Sequence, residues 1–195
     1  MLQRSLPLPA FLSAAALAAS AAWPISAHMQ DAPADPQFEQ ARQRFHGVWR
    51  RSAPDARARE IVDAAIEQTV GAMNFFLRGV ARGQLRDNTP LNGRIDLLFG
   101  QDGRITVMFD GDAGRRYTSR VGRTARVRTP AGDEMRVTQR IHEDGRLEQV
   151  FQTDQGTRWN VYRTTADGQM QMDATTQGMM MPQPLHFVFD YTRQP

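Results

Sequence analysis

The chain contains no cysteine and no lysine. Without thiols, disulfides, thiolate nucleophiles and cysteine-held metals are all excluded, so any core must hold without crosslinks. All 24 basic residues are arginine, a habit that reads as a GC-rich coding preference. After residue 27 the only serines are Ser52 and Ser119. Neither lies in a Gly-x-Ser-x-Gly elbow, which argues against a serine hydrolase. No βαβ pattern occurs, and no apolar run after residue 27 is long enough to cross a bilayer.

At the N-terminus, Arg4 precedes the apolar run "LPLPAFLSAAALAASAAW", and "ISA" places small residues before a cut after Ala27. This is the pattern of a secretory signal peptide over 1–27, with an uncleaved anchor as the alternative. Absence of cysteine excludes a lipoprotein anchor. Cleavage would leave 195 − 27 = 168 residues, enough for one domain with a single core. It would also leave 23 arginines against 21 acids, a net charge near +2. A periplasmic or secreted location follows, which removes nucleic acid as a partner. Eight arginines lie between Arg115 and Arg140; a solvated strand face explains them, and peripheral contact with an anionic membrane stays open.

Residues 28–37, "HMQDAPADPQ", are polar and Pro-rich and read as a flexible lead-in to one domain over 38–195. "SAPDARAREIVDAAIEQTVGAMNFFLRGVARGQLRDN" is the clearest helical stretch, because Val62, Ile66, Val70, Met73, Phe76, Leu77 and Val80 recur at three- and four-residue spacing. Ser52 or Asp55 can cap it and Gly83 can end it, giving a helical insert over 55–84 as one helix or two.

From Arg94 onward the period is two. Nine strand-like runs alternate with short turn signals such as "GQDG", "DGDAG", "EDG" and "ADG", hence hairpins. With a strand at Trp49, the expectation is a mainly β chain. It should form an antiparallel up-and-down β-barrel of about nine to ten strands, with the helical segment inserted after the first. A one-sided sheet this wide has open edges unless it curls shut. The apolar face takes in Phe99, Phe109, Phe151, Phe187 and Tyr191. Trp159, Val161 and Arg163 are assigned to it as well, which would place an arginine inside and require an anion, an acidic neighbour or water for it; the alternative is a register shifted by one, with Arg163 facing solvent.

"FHGVWRR" is close to the Phe-x-Gly-x-Trp opening of the calycins, the lipocalins and fatty-acid-binding proteins. The helical segment after the first strand and the hairpin "EDGRLEQVFQTDQGTRWNVYR" also resemble the fatty-acid-binding proteins. The resemblance covers about residues 45 to 193. It implies a barrel cavity for a lipid-like ligand. Three features depart from it: the helical segment is longer, the chain reads as exported whereas the fatty-acid-binding proteins are intracellular, and the Arg-x-Tyr that grips a carboxylate in the family's last strand is absent, the strand here ending "DYTR". Closure on the lipocalin plan, or an open half-barrel over the helix, are alternatives.

The functional expectation is an exported binding protein for a small amphipathic ligand. Phe99, Phe109, Phe151, Trp159 and Phe187 would hold its tail, Arg163 and Tyr191 its head, and Met179, Met180 and Met181 would form a pliable lip. The stripe of Met73, Phe76 and Leu77 would close one end. A structural or partner-binding envelope protein is the alternative. A remoter one is copper binding, since five methionines fall between Met170 and Met181 and thioether sulfur is a soft ligand. No cofactor is implied and no catalytic motif is present, so an enzyme is not expected.

Overall fold

The computed structural model describes residues 35–129 and 132–195. The expected signal peptide and most of the lead-in lie outside the described residues. Of the lead-in, Pro36 and Gln37 are helical: α1 runs Pro36–Phe45, with the Asp35 carboxylate accepting from the Gln37 amide at 3.0 Å. Capped this way, with proline in the first turn, a helix can start despite its polar sequence.

Strand β1 (Gly47–Arg51) follows, then α2 (Asp55–Gly71) and α3 (Phe75–Asp87). The helical segment is thus two helices. The Asn74 side chain accepts from the Phe76 amide at 3.1 Å and starts the second. Two capping expectations are corrected. Helix α2 begins after Pro54 with no side-chain cap, and α3 continues through Gly83 to Asp87.

The remaining strands are β2 (Arg94–Phe99), β3 (Arg104–Phe109), β4 (Arg116–Arg120), β5 (Thr124–Arg128), β6 (Glu134–Ile141), β7 (Leu147–Gln152), β8 (Gly156–Thr164), β9 (Met170–Gly178) and β10 (Leu185–Arg193). All pairs are antiparallel, in the order β4-β3-β2-β1-β10-β9-β8-β7-β6-β5. The ten strands make a nearly closed up-and-down barrel, the architecture the calycin resemblance implied. Strands β4 and β5 form the seam. There Gly122, at φ +71° in the turn between them, donates its amide to the Gln139 carbonyl at 2.8 Å. The Gln139 side chain donates across to the carbonyls of Ile105 (3.0 Å) and Tyr117 (3.3 Å). A side-chain amide there replaces part of the missing strand ladder, so the edges are not left bare.

The alternation places Ile95, Leu97, Ile105, Val107, Val137, Leu147, Met170, Met172, Leu185, Phe187, Phe189 and Tyr191 inside as expected. Strand β8 is the exception and a correction. The loop at 153–156 pairs Gln152 with Thr157 and Phe151 with Arg158, so Arg158, Asn160 and Tyr162 face inward. Trp159, Val161 and Arg163 face out, and Arg163 is exposed, 3.7 Å from Asp173. A one-residue slip moves every side chain of a strand to the other face. The bulk of Trp159 and Val161 pointed one way; the hairpin parity decides the other.

The two helices after β1 also divide unexpectedly. Val62, Ile66 and Val70 of α2 are buried at the start of β10. Hydrogen bonds hold α2 there, from Gln183 Nε2 to the Gln68 carbonyl (2.6 Å) and from Thr69 Oγ1 to the Pro184 carbonyl (3.4 Å). Each fully buried aliphatic side chain contributes about 1.5–3 kcal/mol. Helix α3 lies along α2, tied by Arg82 to Glu67 and Arg86 to Asp63. Its apolar stripe points to solvent: Phe76 and Leu77 are 86% and 56% exposed. The expectation that Phe76 and Leu77 help close one end is therefore corrected; Met73, ahead of α3, is half-buried against the core, and α2 supplies the buried stripe. Among the described residues, no helix is long and apolar enough to cross a membrane.

Candidate functional site: a cavity at one end of the barrel

One end of the barrel is filled. Helix α1 seals it by setting Phe38 against Phe99 (ring centroids 5.4 Å apart), with Phe45 and Trp49 wholly buried. The Trp49 indole donates to the Phe45 carbonyl at 2.8 Å. The Arg193 guanidinium lies over the Trp49 ring at 4.7 Å and donates to the Arg44 carbonyl at the end of α1.

The other end holds a cavity of about 550 Å3. Its walls come from the α3–β2 connection (Asn88, Pro90, Asn92), from Phe109 and Tyr117 of β3 and β4, and from Met135 and Phe151 of β6 and β7. The β8 start (Gly156, Thr157, Arg158, Asn160) and the β9 end (Thr176, Gln177, Gly178) complete it. The volume is within the range of small-molecule sites. The apolar wall is aromatic: Tyr117 meets Phe151 edge-on at 5.0 Å and Phe109 at 6.1 Å. Burial pushes the Tyr117 hydroxyl's pKa above its ordinary value.

Two arginines and no carboxylate are among the described lining residues, and they are not equivalent. Arg115 is neutralised: it donates to Asp110 at 2.9 Å and to Asn92, and lies over the Phe109 ring at 5.4 Å. Asp110 itself stands at φ +56°, its carboxylate accepting from the Gly93 and Arg94 amides. Aspartate tolerates that left-handed conformation better than most residues. "DGDAG" is thus a hairpin whose acid is committed to structure.

Arg158 has no acidic partner among the described residues. Its Nε donates to Asn160 Oδ1 at 3.0 Å, and its guanidinium lies 5.8 Å from the Phe187 ring centroid. Its Nη2 is shielded from solvent and has no hydrogen-bond partner. Desolvation, the largest influence, pulls its pKa below the usual arginine value. Arginine does not lose its proton in proteins, so the cost is borne as an uncompensated charge. Below it, Tyr162 donates to Gln149 Oε1 at 3.1 Å, and burial raises the Tyr162 hydroxyl's pKa strongly.

The expected site residues scatter on this geometry. Phe109 and Phe151 line the cavity. Phe187 lies beside Arg158 without lining it, and Phe99 belongs to the sealed end. Tyr191 is buried, its hydroxyl donating to the Asn92 carbonyl at 2.9 Å. Trp159 and Arg163 are on the outer wall. Met179 and Met180 are exposed in the loop after lining residue Gly178, whereas Met181 packs back, its sulfur 3.1 Å from the Gly178 amide. His186, at the start of β10, is hydrogen-bonded to Asp173 at 2.9 Å on the outer face. Arg158, Arg115, Tyr117 and Asn160 were missed. Counting parity from Phe151 across the four-residue loop would have found Arg158 and Asn160.

No family model matches the chain, and no curated protein does. Solved structures do. A Schistosoma mansoni fatty acid binding protein in complex with arachidonic acid is 14% identical, covering 80% of this chain and 99% of its own, with a TM-score of 0.46. Echinococcus granulosus fatty-acid-binding protein 1 gives 11%, 78%, 99% and 0.47. A luciferase domain from the dinoflagellate Lingulodinium polyedrum gives 15% and 0.48, covering 76% of this chain and 41% of that one. Likeness of this degree assigns no ligand, and the site is read from its own residues.

Proposed function

We propose that the protein binds a small amphipathic ligand bearing an anionic group, of the carboxylate or acyl-chain kind, in the open end of the barrel. The observation that carries this is Arg158, a half-buried arginine whose Nη2 is shielded and without a partner, with no acid beside it among the described residues, lining a connected cavity with aromatic walls. An anion there would repay the desolvation of the charge, and the ring wall of Phe109, Tyr117 and Phe151 would take the apolar part. Arg115, already paired with Asp110, would frame the mouth. Export with cleavage after Ala27 belongs to the same reading and is supported by the sequence pattern alone. An intact mass beginning at His28 on protein from the native host would support it, and retained Met1 would refute it.

Displacement of a fluorescent fatty-acid probe from delipidated protein tests the binding. Charge-assisted hydrogen bonds in a dry site contribute about 1.5–3 kcal/mol, so Arg158→Gln should weaken a long-chain carboxylate roughly 10- to 150-fold. Arg163→Gln, on the outer wall, should leave it unchanged. Absence of saturable binding by wild type would end the carrier reading; equal affinity in the Arg158 variant would remove that residue from the site.

A further inference from the structure

The outer wall around the seam concentrates positive charge in a way that folding does not require. Arg116 and Arg120 on β4, Arg123 in the turn, Arg126 and Arg128 on β5, and Arg136 on β6 are all exposed. Arg126 is directly opposite Arg136, and Arg120 directly opposite Arg104. Like charges facing each other across strands are destabilising. Among the described residues, Arg126 has Glu134 at 3.5 Å and Arg104 has Asp102 at 3.2 Å, while Arg116, Arg120, Arg123, Arg128 and Arg136 have no ion pair. A coding preference explains why these residues are arginine and not lysine. It does not explain why two like-charged pairs share one wall.

We infer that this wall is a docking surface for a bilayer carrying anionic phospholipid. The array spans three strands and the seam, so it is a broad convex face suited to a plane of charges. Arginine, always protonated and able to bind phosphate bidentately, keeps this face positive at any physiological pH. Arg116 and Arg128 are next in sequence to the cavity-lining residues Tyr117 and Thr129. The inference goes beyond the ligand reading and does not depend on it.

Co-sedimentation of the protein, as its native host produces it, with vesicles of equimolar phosphatidylglycerol and phosphatidylcholine is the test, beside pure phosphatidylcholine. Binding should require the anionic lipid and fall as salt is raised. Each arginine near such a surface is worth about a fivefold change, so Arg116→Gln/Arg120→Gln/Arg136→Gln together should weaken binding about a hundredfold. The same variant should unfold no earlier than wild type, because two like-charge pairs are relieved. Equal binding to neutral vesicles would overturn the inference, as would an unaffected triple variant. So would soluble polyphosphate binding as tightly as the vesicles, or Phe76→Ser abolishing binding that the triple variant keeps. Arg158→Gln should retain vesicle binding, which separates failure of the cavity reading from failure of this one.

Discussion

At one end of the barrel, an amphipathic helix delivers Phe38 and Phe45 onto Phe99 and Trp49, the Trp49 indole donates to the Phe45 carbonyl, and Arg193 donates to the end of α1. At the other, α2 packs against β10, α3 turns its apolar stripe outward, and a guanidinium remains unpaired above a ring-lined void. The same strands run through both ends, so the difference lies in what the connections bring. The sealed end leaves one neutral hydroxyl, Ser119, without a partner, whereas the open end leaves a charged donor, the costlier group to strand.

Truncations should separate the ends most strongly. Trp49→Ala removes a wholly buried ring from a filled region and should cost about 3–5 kcal/mol by denaturant unfolding. Phe151→Ala borders a space that is already empty, so less packing is lost, and it should cost below about 3 kcal/mol while changing probe affinity. Equal losses would mean that the cavity closes in solution. A smaller effect is expected from pH. Burial raises the Tyr117, Tyr162 and Tyr191 hydroxyl pKa values in the folded chain. Their stabilising effect is therefore complete below the unfolded value of about 10 and is lost as pH rises through the folded values. Unfolding followed upward from pH 9 should show falling stability, flattened in Tyr162→Phe; an unchanged slope would place the Tyr162 hydroxyl in water.

Legibility in the sequence followed the same division. Strand number, hairpin order and seven of the eight strand faces assigned were readable because alternation and turn residues are local signals. Strand β8 was not, since "TRWNVYRTT" carries a bulky apolar residue on both faces and only the loop count selects one. Helix α3 was misjudged for a related reason. Three- and four-residue spacing shows that a stripe exists, while whether anything covers it depends on the path of the chain. Arg158 lies five residues before Arg163 on the opposite face of β8, and the alternative register, with Arg163 in solvent, is the one the chain adopts.

The central claim is that Arg158 is held for an anion and not for the fold. Unfolding of Arg158→Met beside wild type, each with and without a long-chain carboxylate, tests it most directly. Replacing a half-buried charge that has no acid beside it by an apolar side chain of similar length should stabilise the ligand-free protein, by up to about 1 kcal/mol. The stabilisation that added ligand gives to wild type should shrink in the variant, because it follows the affinity. A ligand-free variant less stable than wild type, with both proteins gaining equally from ligand, would contradict the account.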